Sequence, residues 1–230
     1  MISIDFDFSP AWISIKVTLT STTIIFFLGL ATAWLMTNYK GRWKGLIDAI
    51  LTLPLVLPPT VAGFAILIMI GKNGPIGQFL EIFGVNIIFS WYAAVIAGIV
   101  VAFPLMYKTT MGAFEQIDTN ILSAARTLGA SEWKVFWRVA VPVAWPGIAS
   151  ATALTFARCL GEFGATLMVA GSIPGKTETI PIAIYFATQG GNMEVALIWV
   201  LIIFAISLTV LVFMNYWNNY KKKERYGAGE

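Results

Sequence analysis

The 230 residues are 58% hydrophobic and only 12% charged, with mean hydropathy +0.78 and net charge +3. A soluble domain carries roughly a quarter charged residues, so this chain needs lipid as its solvent. Spans of about 20 apolar residues fill 1–230 as a single membrane domain, with no room for a separate nucleotide-binding or extracellular domain.

Residue types narrow the chemistry further. There is no histidine, which excludes a His-based proton relay or metal site, and the lone Cys159 excludes a disulfide framework. No GxxxxGK[ST] string occurs, so if ATP drives this protein another chain must bind it. No catalytic constellation, metal cluster, cofactor motif or nucleic-acid signature appears, and the chain reads as a non-enzyme.

Met1 to Pro10 carries Asp5 and Asp7 without a basic start or cleavage site, so it is not read as a signal peptide. Ile4, Phe6 and Phe8 alternate as an interfacial lead-in. A first span is expected over Ala11–Thr37, with Lys16 near its start placed to snorkel. The loop Asn38–Lys44 carries three cations. A second span is expected over Leu46–Ile70, kinked or broken where Pro54, Pro58 and Pro59 remove backbone donors. Gly71–Ser90 reads as a loop with a short interfacial helix, followed by a third span over Trp91–Thr110. A polar loop fills about 111–141, and a fourth span is expected over Pro142–Ala170. Thr179–Thr188 is apolar but too short to cross alone, so it is read as a partial helix. Met193–Tyr216 is the last span, with Trp217 and Tyr220 in the interfacial belt and a basic tail at Lys221, Lys222, Lys223 and Arg225. The fold class is therefore all-α, a polytopic bundle of about five spans plus a partial helix.

Charge placement orients it. Eleven of the 15 Lys and Arg fall in Asn38–Lys44, in or beside the 111–141 loop, and in the tail. Five spans put these three regions on one side. By the positive-inside rule that side is cytoplasmic, the C-terminus with it, and the N-terminus is external.

The 111–141 loop has the pattern helix, Gly, helix, Pro. Asp118 or Thr119 can cap a first helix whose apolar residues are Ile121, Leu122, Ala125 and Leu128. Gly129 is expected in a left-handed or tightly packed turn where a Cβ would clash, Ser131 caps a second helix with Glu132 in its first turn, and Pro142 closes that helix or opens the next. On physical grounds alone, a surface hairpin joining two spans is the simpler reading. Within the fourth span, Arg158 and Glu162 stand four apart on one helix face, as a structural ion pair or, less simply, an outer gate.

Resemblance shifts the weight. Ser123-Ala124-Ala125, Gly129 four residues on, and Val139-Ala140-Val141-Pro142 resemble the cytoplasmic signature loop of binding-protein-dependent ABC importer permeases. Ser123 stands where the family has Glu, and valines replace its Ile and Leu. Ala157–Thr166, Ile173-Pro174-Gly175-Lys176-Thr177 and Leu53-Pro54-Leu55-Val56-Leu57-Pro58-Pro59 resemble the molybdate, tungstate and sulfate group, closest to the molybdate type. The resemblance implies a prokaryotic plasma-membrane permease working as a homodimer, with ATP-binding cassette ATPase subunits below and an external substrate-binding protein above. It implies that Ser123, Ala124, Ala125, Gly129, Glu132 and Pro142 belong to the ATPase-coupling loop. Tungstate or sulfate is the alternative cargo. A secondary transporter is the rival class, but neither an inverted repeat nor a carboxylate cluster supports it.

Overall fold

The computed structural model describes residues 7–226, and side chains up to Phe213 together with Tyr216. The lead-in residues Ile4 and Phe6 and the side chains of Trp217, Tyr220 and the basic tail lie outside this set. The described residues form α1 (Ser9–Asn38), α2 (Lys44–Val56), α3 (Pro59–Ile70), α4 (Pro75–Glu81), α5 (Trp91–Glu115), α6 (Thr119–Thr127), α7 (Glu132–Val135), α8 (Val141–Leu160), α9 (Gly164–Ala170), α10 (Ile180–Gln189) and α11 (Met193–Tyr226). A wide π-turn, Phe136–Ala140, joins α7 to α8. No strand occurs among these residues.

Among the described residues four helices are long and apolar enough to cross a membrane, and α2 with α3 makes a fifth if the bent pair is one span. The bend is 114°. It falls where the sequence places it, because Pro58 and Pro59 supply no N–H to continue α2 and Pro59 instead starts α3 at a position whose donor would be orphaned anyway.

Helices α1, α5 and α8 pack as the central layer, with α2 and α11 outside it. Their largest core cluster runs from Ile25 and Leu30 through Met106 and Tyr107 to Ile148. Without a hydrophobic drive between helices in lipid, close approach at small residues supplies the packing. The Cβ that Gly63 lacks would stand 2.7 Å from the Ala165 Cα, so α3 and α9 touch nearly backbone to backbone. On α1 the small polar residues Ser14, Thr18, Ser21 and Thr22 are buried. Ser21 Oγ donates to the Val95 carbonyl on α5 at 3.1 Å, and Ser14 Oγ accepts from the Ile180 N–H at 2.8 Å, tying in the short helix α10.

Two expected boundaries move. The fourth span is not Pro142–Ala170. One continuous helix runs from Glu132 to Leu160, the chain breaks at 161–163, and α9 follows as a separate short helix. Pro142 is thus the second residue of α8, but it lies inside this continuous helix and does not separate it from α7. The π-turn before it, in which the Val141 N–H reaches back to the Phe136 carbonyl, widens the helix where a proline ring would otherwise press on the carbonyl four residues earlier. Likewise α5 continues to Glu115, so the loop outside helices α5 and α7 covers 116–131 rather than 111–141.

Candidate functional site

The loop between α5 and α7 is a compact two-helix hairpin. Asp118 caps α6, its carboxylate accepting from the Asn120 N–H at 2.9 Å. Gly129 closes α6 with φ +80°: its N–H donates to the Arg126 carbonyl and the Ala130 N–H reaches back to the Ala125 carbonyl, the paired bonds of a Schellman turn. Among the described residues nothing lies within 4 Å of where a Gly129 Cβ would stand, so the glycine is required by its left-handed backbone and not by crowding. Ser131 precedes α7 without a side-chain cap; α7 is instead tied to α6 by Arg126, whose guanidinium donates to Glu132 at 2.7 and 3.1 Å. That donation holds the Glu132 carboxyl below its ordinary value of 4.5 against a smaller opposing effect of burial, and raises Arg126 in turn. Sequence order did not single out Arg126 as the partner of Glu132; the i, i+6 spacing crosses a turn and belongs to no helical rule.

The hairpin is fixed to the spans through aromatic rings. Phe136 is buried against Trp34 of α1 and Phe114 of α5, at ring-centroid separations of 5.3 and 6.2 Å. Leu122 of α6 packs on the same cluster. A second tie at this end went unseen in the sequence. Asp48 of α2 accepts from the Tyr107 hydroxyl at 2.7 Å and from Lys108 Nζ at 2.6 and 2.7 Å, joining α2 to α5. Its signal was available, since a lone carboxylate in an apolar span must have a partner.

The remaining faces of the hairpin are open. No residue of α6 is buried. Ser123, Ala124 and Gly129 are exposed and Ala125 is half-buried, presenting a small-residue surface. Beside it stand Leu128, 88% exposed, and Trp133, 71% exposed. Pro142 does not join this surface; it lies ten residues beyond Glu132, about 15 Å along the helix.

Arg158 and Glu162 come together at the opposite end of α8. Glu162 does not continue α8 as expected but lies in the break after it. Arg158 still reaches it, Nη1 to Oε2, at 2.6 Å. The other carboxylate oxygen accepts from the Ala165 N–H at 2.9 Å, so one buried acid, 3% exposed at its side chain, closes α8 and opens α9. With both oxygens engaged, Glu162 joins the two helices, and a free anion approaching Arg158 would compete with it for the guanidinium.

Comparison with known proteins follows the same lines. Residues 25–221 match the family model described as "Binding-protein-dependent transport system inner membrane component". The chain is 40% identical over 232 residues to the molybdenum transport system permease protein ModB of Escherichia coli (strain K12), covering 99% of this chain and 100% of that one. It is 38% identical over 221 residues to ModB of Haemophilus influenzae, covering 94% and 95%. Among solved structures, a bacterial alginate ABC transporter in complex with an alginate-bound periplasmic protein contains a similar chain at TM-score 0.74 and 16% identity, covering 93% of this chain and 78% of that one.

Proposed function

The chain belongs to the binding-protein-dependent transport system inner membrane components, and from that premise we propose that it is the permease subunit of a molybdate importer, paired with a second copy of itself. Separate ATPase subunits drive it and an external binding protein delivers the anion. Similarity to the two ModB proteins over nearly their full length, at 40% and 38% identity, supports molybdate as cargo. The observation that carries the mechanism is the unburied helix α6, with exposed Leu128 at its end and exposed Trp133 on α7 beside it. An amphipathic helix with small residues beside apolar anchors, in an otherwise charged loop, fits a hydrophobic groove on a soluble partner. In this reading Ser123, Ala124, Ala125 and Gly129 are the close-approach surface, and Glu132 acts through Arg126 to hold the hairpin closed. Pro142, with its π-turn, lets the motion pass into α8 without a hinge. Movement of the ATPase subunits then shifts the hairpin as a rigid body, and the Trp34–Phe114–Phe136 cluster conveys it to α1 and α5.

The orientation that goes with this has the hairpin and C-terminus in the cytoplasm and the N-terminus outside. Reconstitution with the ATPase and binding protein tests the function. ATP-dependent uptake of molybdate is expected, and uptake driven by an ion gradient without ATP overturns it. Titrating the binding protein with molybdate, tungstate and sulfate decides among the three anions.

A further inference from the structure

At the end of the bundle opposite the hairpin, a cavity of about 300 Å³ opens between the start of α1, the segment leading into α5 and the loop after α9. Two lysines line it. Lys16 of α1 lies over the Trp91 ring at 3.9 Å from its centroid, and Lys176 comes from the loop, next to Gly175 at φ +71°. Among the described residues neither lysine forms an ion pair. The rim is held in an unusual backbone. Phe89 has φ +58°, the one non-glycine residue described with positive φ. Its N–H donates to the Val169 carbonyl at 3.0 Å, and Gly171 leaves room for its ring, where a Cβ would come within 3.1 Å. Such a conformation is strained and persists where the surroundings fix it, often beside a ligand.

The position along α1 indicates the ligand. Trp12, Lys16, Leu19, Thr23 and Phe27 recur on one exposed stripe. Lys16 thus stands between an interfacial tryptophan and a run of apolar residues facing lipid, about 10 Å along the helix from Ser9. A cation at that depth meets the headgroup layer, and the cavity beside it supplies the second cation. We propose that this cavity binds the phosphate of an anionic phospholipid headgroup between Lys16 and Lys176, with Trp12 and Trp91 walling the glycerol side.

Native mass spectrometry of the purified full-length permease titrated with phosphatidylglycerol tests this. Each lysine near a membrane surface contributes about fivefold in affinity, so Lys176→Gln is expected to weaken phosphatidylglycerol binding about fivefold and Lys16→Gln with Lys176→Gln roughly 30-fold. The corresponding Arg variants, which keep the charge, bind within about twofold of the parent. Phosphatidylcholine, whose headgroup carries its own cation, binds without dependence on either lysine. Lys176 is exposed on a loop, so its variant carries the test even if the Lys16 change harms folding. Equal phosphatidylglycerol binding by parent and variant overturns the proposal. So does lysine-dependent binding of inorganic phosphate with no lysine-dependent binding of the lipid, which would make this a free-anion site.

Discussion

Arg158 and Glu162 show how much one residue's neighbours decide. Glu162 is almost fully enclosed and serves two helices, while Arg158 keeps about a third of its side chain exposed. Removing the guanidinium leaves a carboxylate in low dielectric with only the Ala165 N–H as donor. Arg158→Ala is expected to cost about 2 kcal/mol, below the loss for a fully enclosed pair because solvent already reaches Arg158. Adding Glu162→Gln removes the charge but keeps an acceptor for the α9 cap, and should recover most of that loss. Thermal unfolding in detergent measures both, and equal melting temperatures for the single and double variants would remove the pair from any structural role. Gly129 makes the contrasting case. Its φ of +80° costs a side chain about 1 kcal/mol, yet open space surrounds it. Gly129→Asp should therefore leave the spans assembled, and any loss of ATPase binding or coupling it causes must arise at the partner's surface. Fully coupled uptake by that variant would reduce the hairpin to a connector.

At the scale of elements, the hairpin and the breaks were legible to different degrees. Asp118, Gly129 and the prolines at 58 and 59 act locally, through caps, positive φ and missing donors, so the sequence places them within a residue or two. Pro54, expected to kink or break the second span with them, lies instead inside the continuous helix α2. The ends of the fourth span were not legible in that way. Pro142 looks like punctuation in the chain, and only the π-turn, a backbone adjustment with no side-chain signature, shows that the helix passes through it. The break at 161–163 was equally hidden, because Glu162 reads as the next turn of α8 until its second oxygen is seen capping α9. Asp48 was legible in principle, but its partners lie 59 and 60 residues away, beyond any local pattern. The exposed tip of the hairpin also belongs to this scale. Leu128→Asp touches no buried neighbour, so protein stability should shift by less than about 0.5 kcal/mol. Placed against an apolar groove, the same charge is expected to reduce ATPase-subunit retention on co-purification at least tenfold, since a hot-spot anchor contributes 2 kcal/mol or more. Retention equal to the parent would show that the partner meets another surface.

For the whole molecule, the count of crossings fixes the sidedness. If α2 and α3 cross once despite their 114° bend, α1, the bent pair, α5, the Glu132–Leu160 helix and α11 give an odd number, and the termini lie on opposite sides. If the pair is re-entrant, the number is even and they share a side. A reporter active only in the cytoplasm, fused at each end in turn, is expected to work at the C-terminus and fail at the N-terminus. Activity at both ends would make α2 and α3 a re-entrant hairpin.

The helix from Glu132 to Leu160 is about 43 Å long, so it outreaches the roughly 30 Å hydrocarbon layer and joins an aqueous surface to the acid-bridged break near the other. Its π-turn is, in sequence terms, one residue more than a regular helix of that rise would hold. The wide turn at Phe136–Ala140 takes up that residue, which in a regular helix would rotate one end by about 100°, so the two ends keep the phase of an uninterrupted α-helix. Deleting one residue there would straighten the turn into α-helix at little cost in length while leaving Trp133 and Glu162 in their present relative azimuth. The same deletion further along, in α8, would swing one end about 100° around the other. This stretch of chain can therefore be read as a keyed shaft, in which the π-turn takes up the spare residue and the regular helix beyond it holds the two ends in register.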